Sequence, residues 1–157
     1  MTPADESWLS QAVALATANV ADGGGPFGAV VVRDGVVVGA GQNRVTRDND
    51  PTAHAEVLAI RAACRAVGDF SLAGCTVYTS CEPCPLCLAA CLWARIDRVV
   101  FAADRTDAAR AGFDDSVFYD LFDSDPATWP MPVLGHRVPT ATAPMEAWLA
   151  RPTRVEY

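Results

Sequence analysis

The sequence predicts an α/β fold. Two valine-rich runs, 27–33 and 36–42, are joined by Asp34-Gly35, a pair that favours the tight turn of a β-hairpin. The stretch from 74 to 103 reads strand, helix, strand, the order of a parallel crossover unit, which is expected to be right-handed. Apolar patterns of helical period lie before and between these strands and would cover the faces of a sheet.

Residues 5–21 are predicted to be helical, with Leu9, Val13, Ala16 and Val20 on one face. Gly23-Gly24-Gly25-Pro26 breaks that helix. No Gly-Lys-Ser/Thr follows, so the glycines read as a flexible turn and not as a phosphate loop. Asn43 ends the second strand. Its amide offers a heterocycle both a donor and an acceptor, although the position also suits a turn. Residues 44–52 are polar and loop-like. Thr52, after Pro51, suits the N-cap of a helix with Val57, Ile60, Cys64 and Val67 as its apolar stripe and Gly68 as its stop.

A strand at 74–79, a helix at 84–95 and a strand at 97–103 follow. Residues 104–112 read as partly helical, 117–122 as an amphipathic piece and 123–132, with three prolines, as loop. A short strand is expected at 133–138 and a helix at 142–150. No repeat or linker interrupts the chain, and its length suits one domain, 1–157.

The formal net charge is −7, and no basic stripe is present to neutralise phosphates, which disfavours a nucleic-acid partner. All twelve basic residues are arginine, which excludes Schiff-base lysine chemistry and the lysine of a P-loop. No apolar run approaches the ~20 residues of a membrane span. The start, Met1-Thr2-Pro3-Ala4-Asp5-Glu6, lacks the basic opening of a signal peptide, so a cytoplasmic protein is expected. Four of the six cysteines fall within eleven positions, which fits reduced thiols and a metal better than disulfides.

Those four are Cys81, Cys84, Cys87 and Cys91. Thiolate and imidazole suit zinc, and Cys84, Cys87 and His54 supply three such groups. If Cys84 opens a helix, Cys87 lies one turn on with its sulfur on nearly the same face, while Pro85 occupies the first turn at little cost. The helix N-terminus favours thiolates over thiols. His54 and Glu56 lie about 200° apart around a helix, so both can reach a metal only from its first turn. A Cys-x-x-Cys alone also serves redox pairs and structural zinc half-sites. Cys81 or Cys91 as a fourth ligand would close the site and make the protein a non-catalytic zinc-stabilised scaffold, whereas three ligands leave a position for water.

The chain resembles the cytidine deaminase superfamily, and within it the small zinc-dependent bacterial guanine deaminases. The resemblance rests on Gly25-Pro26-Phe27-Gly28-Ala29-Val30, on Asn43, on Asp50 to Glu56, on Tyr78 to Cys87, on Thr106 to Ala109, on Ala111 to Ser116 and on the terminal Glu156-Tyr157. It implies a three-layer α/β/α sandwich with a five-stranded mixed sheet. It also implies a homodimer that exchanges its C-terminal segment, so that Tyr157 reaches the partner's site. One zinc per subunit is implied, held by His54, Cys84 and Cys87, with Glu56 as proton shuttle. Asp115, or else Asp114, is implied to bind the amino group and help proton transfer. Asn43, Phe27, Ala55, Asp114 and Tyr157 are implied substrate contacts.

The activity implied is hydrolytic deamination of a free nucleobase, guanine to xanthine and ammonia. Related rings such as ammeline, cytosine and its aza analogues present a similar edge, and one hydrogen bond can decide among them.

Overall fold

The computed structural model describes residues 1–156. Its elements are α1 (Pro3–Ala21), β1 (Gly28–Arg33), β2 (Val36–Gln42), α2 (Val45–Asp48), α3 (Ala55–Val67), β3 (Cys75–Cys81), α4 (Pro85–Trp93), β4 (Arg98–Ala103), α5 (Arg105–Arg110), α6 (Ser116–Phe122) and α7 (Ala143–Leu149). Two compact units divide the chain, Met1–Asp115 and Ser116–Tyr157. No helix among the described residues is long and apolar enough to cross a membrane.

The first unit holds a mixed sheet in the order β2-β1-β3-β4. β1 pairs antiparallel with β2 and β3, and β3 pairs parallel with β4. Asp34 and Gly35 both take positive φ, 51° and 73°, as a two-residue hairpin requires. The central strands β1 and β3 are buried almost throughout, while β2 and β4 are edges. Ala29, Val31, Cys75 and Val77 face α3 and α4, and Val30, Val32 and Tyr78 face Leu9 of α1, so the sheet lies between two helical layers. The approach of α3 to β2 is very close. A Cβ added at Gly41 would fall 2.2 Å from the Ala55 carbonyl oxygen, so only glycine fits there.

The sheet has four strands where five were expected. Residues 133–138, the expected fifth, form no strand. They lie between Pro130-Met131-Pro132 and Pro139, which cannot donate to a ladder, and the Val133 N–H donates instead to the Pro126 carbonyl. The face of α1 also differs from expectation. Val13 and Val20 are 41% and 52% exposed, and the buried line runs Asp5, Leu9, Ala12, Ala16, Asn19. Apolarity alone misplaced the stripe, because its two ends are polar residues whose partners lie elsewhere in the fold. The polar loop at 44–52 contains the short helix α2. The cap of α3 is His54 and not Thr52, whose N–H and hydroxyl both donate to Asp50.

Asp5 pins α1 to the sheet. It is 3% exposed and accepts from the Thr2 N–H at 2.7 Å, the Tyr78 hydroxyl at 2.7 Å and Arg98 at 2.6 Å. The Thr2 N–H and then the Tyr78 hydroxyl hold its carboxyl well below the usual carboxylate range, with burial opposing and Arg98 assisting.

A carboxyl depressed in the folded state stabilises the fold above its unfolded pKa of about 3.9, and the contribution fades as pH falls from there towards the folded value. Asp5→Asn is expected to lower the melting temperature by roughly 5 °C at pH 7. That gap should narrow as pH falls below about 4. A gap constant between pH 7 and pH 3 would remove Asp5 as an ionised anchor.

Candidate metal centre

Two helices begin at one place. His54 is the N-cap of α3, with φ −70° and ψ 152°, and Cys84 is the N-cap of α4, with φ −66° and ψ 168°. Cys84 stands between Pro83 and Pro85. A residue before proline is pushed to extended backbone, while Pro85 at the first helical position is pre-set for helix. The cap residue therefore turns its sulfur inward just before the helix starts, and Cys87 follows one turn on. On α3, His54 lies outside the helix and Glu56 inside its first turn, which resolves the 200° separation their spacing would impose within a helix.

The His54 Nδ1 atom lies 3.5 Å from Cys84 Sγ and 3.4 Å from Cys87 Sγ, and the two sulfurs are 3.6 Å apart. A tetrahedral ion with Zn–S about 2.3 Å and Zn–N about 2.1 Å separates two sulfurs by about 3.8 Å and sulfur from nitrogen by about 3.6 Å. The triangle thus matches one face of a zinc tetrahedron. Its chemistry agrees. The Cys87 thiol lowers the Cys84 thiol, with His54 assisting against burial, and Cys84 in turn raises His54. Two helix N-termini beside the triangle favour negative charge there.

His54, Cys84 and Cys87 are the one cluster of this kind among the described residues. Cys81 Sγ lies 3.5 Å from the Asp104 carbonyl, and burial pushes its thiol up to about 11. Cys91 belongs to the core beneath α4, where burial pushes its thiol up to about 12. Neither sulfur joins the cluster of His54, Cys84 and Cys87.

Glu56 is 5% exposed. The Thr79 hydroxyl donates to its Oε1 at 2.9 Å, and its Oε2 lies 3.3 Å from Cys87 Sγ. Burial raises its carboxyl above the ordinary range, with Thr79 among the groups opposing the rise. One oxygen is thus anchored and the other faces the metal triangle. Thr79 and Ser80 stood in the stretch Tyr78 to Cys87 that carried the resemblance, with no role of their own assigned. Their signal is two adjacent hydroxyls in a strand buried on both faces, where the residues should be apolar unless partners exist. The Ser80 hydroxyl accepts from the Gly28 N–H at 3.1 Å and ties β1 to the end of β3.

Asn43 is buried. Its N–H donates to the Phe27 carbonyl at 3.0 Å, and its Oδ1 accepts from the Val45 N–H at 3.3 Å. Phe27 meets Phe113 edge to face, with centroids 5.0 Å apart, so Phe113 is a further residue the sequence did not single out. Asp115 follows two positions later and is half-buried, while Asp114 is exposed. Burial, and then the Cys84 sulfur, raise the Asp115 carboxyl. Glu82, within the metal motif, accepts from Arg105 Nε at 3.0 Å and from the Arg105 N–H at 3.1 Å, which ties α5 and the segment after it to the motif. Ala55 is buried at the first position of α3, where a backbone N–H has no partner within its helix. Tyr157 lies outside the described residues.

The sequence profile of the family described as the cytidine and deoxycytidylate deaminase zinc-binding region matches residues 2–103. The chain is 49% identical to guanine deaminase of Bacillus subtilis over 153 residues, 97% of this chain and 98% of that one. It superposes on the X-ray structure of guanine deaminase from Bacillus subtilis with a TM-score of 0.95 and 48% identity, covering 100% of this chain and 99% of that one. It is also 39% identical to a tRNA-specific adenosine deaminase of Aquifex aeolicus over 121 residues, 77% of this chain and 73% of that one.

Metal content separates three protein ligands from four. His54→Ala and Cys87→Ala are expected to purify with about a tenth or less of the zinc of the unaltered protein, and Cys81→Ala and Cys91→Ala with all of it. Loss of zinc from Cys81→Ala would identify a fourth protein ligand and a closed, structural site.

Proposed function

The chain belongs to the cytidine and deoxycytidylate deaminase zinc-binding family, and on that premise we propose that it hydrolyses guanine to xanthine and ammonia. One observation carries the chemistry: a three-ligand metal face with a buried carboxylate oxygen beside it, Glu56 Oε2, 3.3 Å from Cys87 Sγ. The near-full-length likeness to the Bacillus enzyme supports guanine as the base.

His54, Cys84 and Cys87 would hold one zinc ion per subunit. When bound, such an ion supplies Lewis acidity that brings the pKa of water towards ~7. Glu56 accepts a proton from water at Oε2, while Thr79 keeps Oε1 occupied and the carboxylate in place. It gives that proton to the ring nitrogen as the water oxygen adds to the ring carbon, then takes the proton of the added hydroxyl and passes it to the departing amine as the carbon–nitrogen bond breaks. Asn43 and the Ala55 N–H donate to acceptors on the base. Asp115, whose carboxyl is raised by burial and then by the Cys84 sulfur, binds the amino group, with Asp114 beside it in the chain. Phe27 and Phe113 supply an aromatic wall that excludes water.

One relative is a tRNA-specific adenosine deaminase, yet a chain of net charge −7 is a poor binder of polynucleotide phosphates. We place the protein in the cytoplasm as a homodimer that exchanges its C-terminal segment and brings Tyr157 to the partner's site. Two features support this. The segment from 116 onwards buries none of its described helical side chains, and α4, apolar nearly all round, leaves Leu92 75% and Trp93 64% exposed. Sedimentation equilibrium at micromolar concentration is expected to read a dimer, and a monomer there would remove the exchange.

Ammonia release from guanine, ammeline, cytosine, adenine and guanosine by the zinc-loaded protein is expected to be strongest with guanine. Glu56→Gln should keep its zinc and lose turnover by roughly 10³-fold. Wild-type turnover in that variant would remove Glu56 as the shuttle, whereas activity on cytosine or ammeline alone would keep the chemistry and change the substrate.

A further inference from the structure

The glycine run 23–25, which the sequence presents as a flexible turn, is packed against Asn19. This side chain, near the end of α1, is fully buried. Its Nδ2 donates to the Gly25 carbonyl at 2.8 Å and to the Asn43 carbonyl at 2.7 Å. Both partners are acceptors, so the amide orientation is determined, and Oδ1 is left buried with no hydrogen bond. An orphaned buried acceptor weakens a fold, so the position is kept for its two donations and not for a fully satisfied network.

The loop is moulded on this amide. The Gly24 N–H donates to the Asn19 carbonyl at 2.8 Å, and a Cβ on Gly24 would fall 2.4 Å from Asn19 Nδ2. A Cβ on Gly25 would fall 2.8 Å from Asn43 Oδ1. Asn43 is therefore held on every polar atom but one. Its carbonyl accepts from Asn19, its N–H donates to Phe27, its Oδ1 accepts from Val45, and Nδ2 alone makes no hydrogen bond among the described residues. The cradle leaves the Nδ2 amide group of Asn43, with its two N–H donors, for acceptors on the ring, and Asn19 with the loop sets where that group sits.

We infer that Asn19 is a positioning residue for substrate selection, acting through Asn43, with Gly24 and Gly25 as the packed wall that transmits its placement. The inference rests on the reading of Asn43 as a substrate contact. It concerns binding and not proton transfer, because the Glu56–Thr79 pair shares no atom with this cradle.

The test is steady-state kinetics with guanine on zinc-loaded Asn19→Ala, Gly25→Ala, Asn43→Ala and the Asn19→Ala/Asn43→Ala double variant, with zinc content measured on each. Each single variant is expected to raise KM about tenfold or more while kcat changes less than about threefold and zinc is retained. The double variant should be no worse than Asn43→Ala alone, because the two act through one contact. Losses that add, or a wild-type KM in Asn19→Ala and Gly25→Ala, overturn the inference. If Asn19→Ala does not fold, Gly25→Ala decides, since it presses on Asn43 and leaves Asn19 intact. A wild-type KM in Asn43→Ala overturns the substrate-contact reading itself, a failure told apart by the variant that shows it.

Discussion

α3 and α4 start at the same end of the sheet and lie on the same face of it, and the geometry of the metal centre depends on that shared end. Three ligand atoms from residues thirty positions apart meet within 3.6 Å only if the two N-caps point at each other. Each helix is seated by its own device. Gly41 lets the backbone of α3 sink onto β2, and the prolines around Cys84 set the entry of α4. The buried carboxylate of Glu56 follows, because a helix that begins at His54 must carry residue 56 inward to β3. There the Thr79 hydroxyl offsets part of the cost of burying it.

The other face of the sheet has a separate anchor. Asp5 joins α1 to Tyr78 and Arg98 through hydrogen bonds on the face opposite α3 and α4. Fourteen residues on, the same buried line of α1 ends in Asn19, which donates to the carbonyl of Asn43 just past the end of β2. One helix thus serves the fold at its start and the rim of the site at its end. Both contacts are polar and buried, and each exists because a partner in a distant element satisfies it.

Most of the chemistry was legible along the chain. His54, Cys84 and Cys87 are residue types that favour zinc, and the prolines around Cys84 with the three-residue spacing set the local backbone of the two cysteines, whereas the start of α3 at His54 was misplaced to Thr52. The hairpin at Asp34-Gly35 and the stop at Gly68 were equally local, since both rest on positive φ. The fifth strand was not legible. Residues 133–138 have strand-like composition, but a strand exists only where a neighbour accepts its hydrogen bonds, and the flanking prolines prevent that ladder from extending. Val13 and Val20 were misassigned for the same kind of reason. Apolarity marks what can be buried, and packing determines what is.

The sequence by itself determined the α/β class of the fold and put forward the candidate residues of the metal centre, because both depend on residue type and on short spacings. The tertiary structure decided the rest. It separated Cys81 and Cys91 from the cluster of His54, Cys84 and Cys87 by giving one a carbonyl neighbour and the other a place in the core. It left Asp114 exposed and Asp115 half-buried, and it brought Thr79 to Glu56, Phe113 to Phe27 and Asn19 to Asn43. Those roles arise from contacts between elements far apart in the chain, and no local pattern encodes a distance across a sheet.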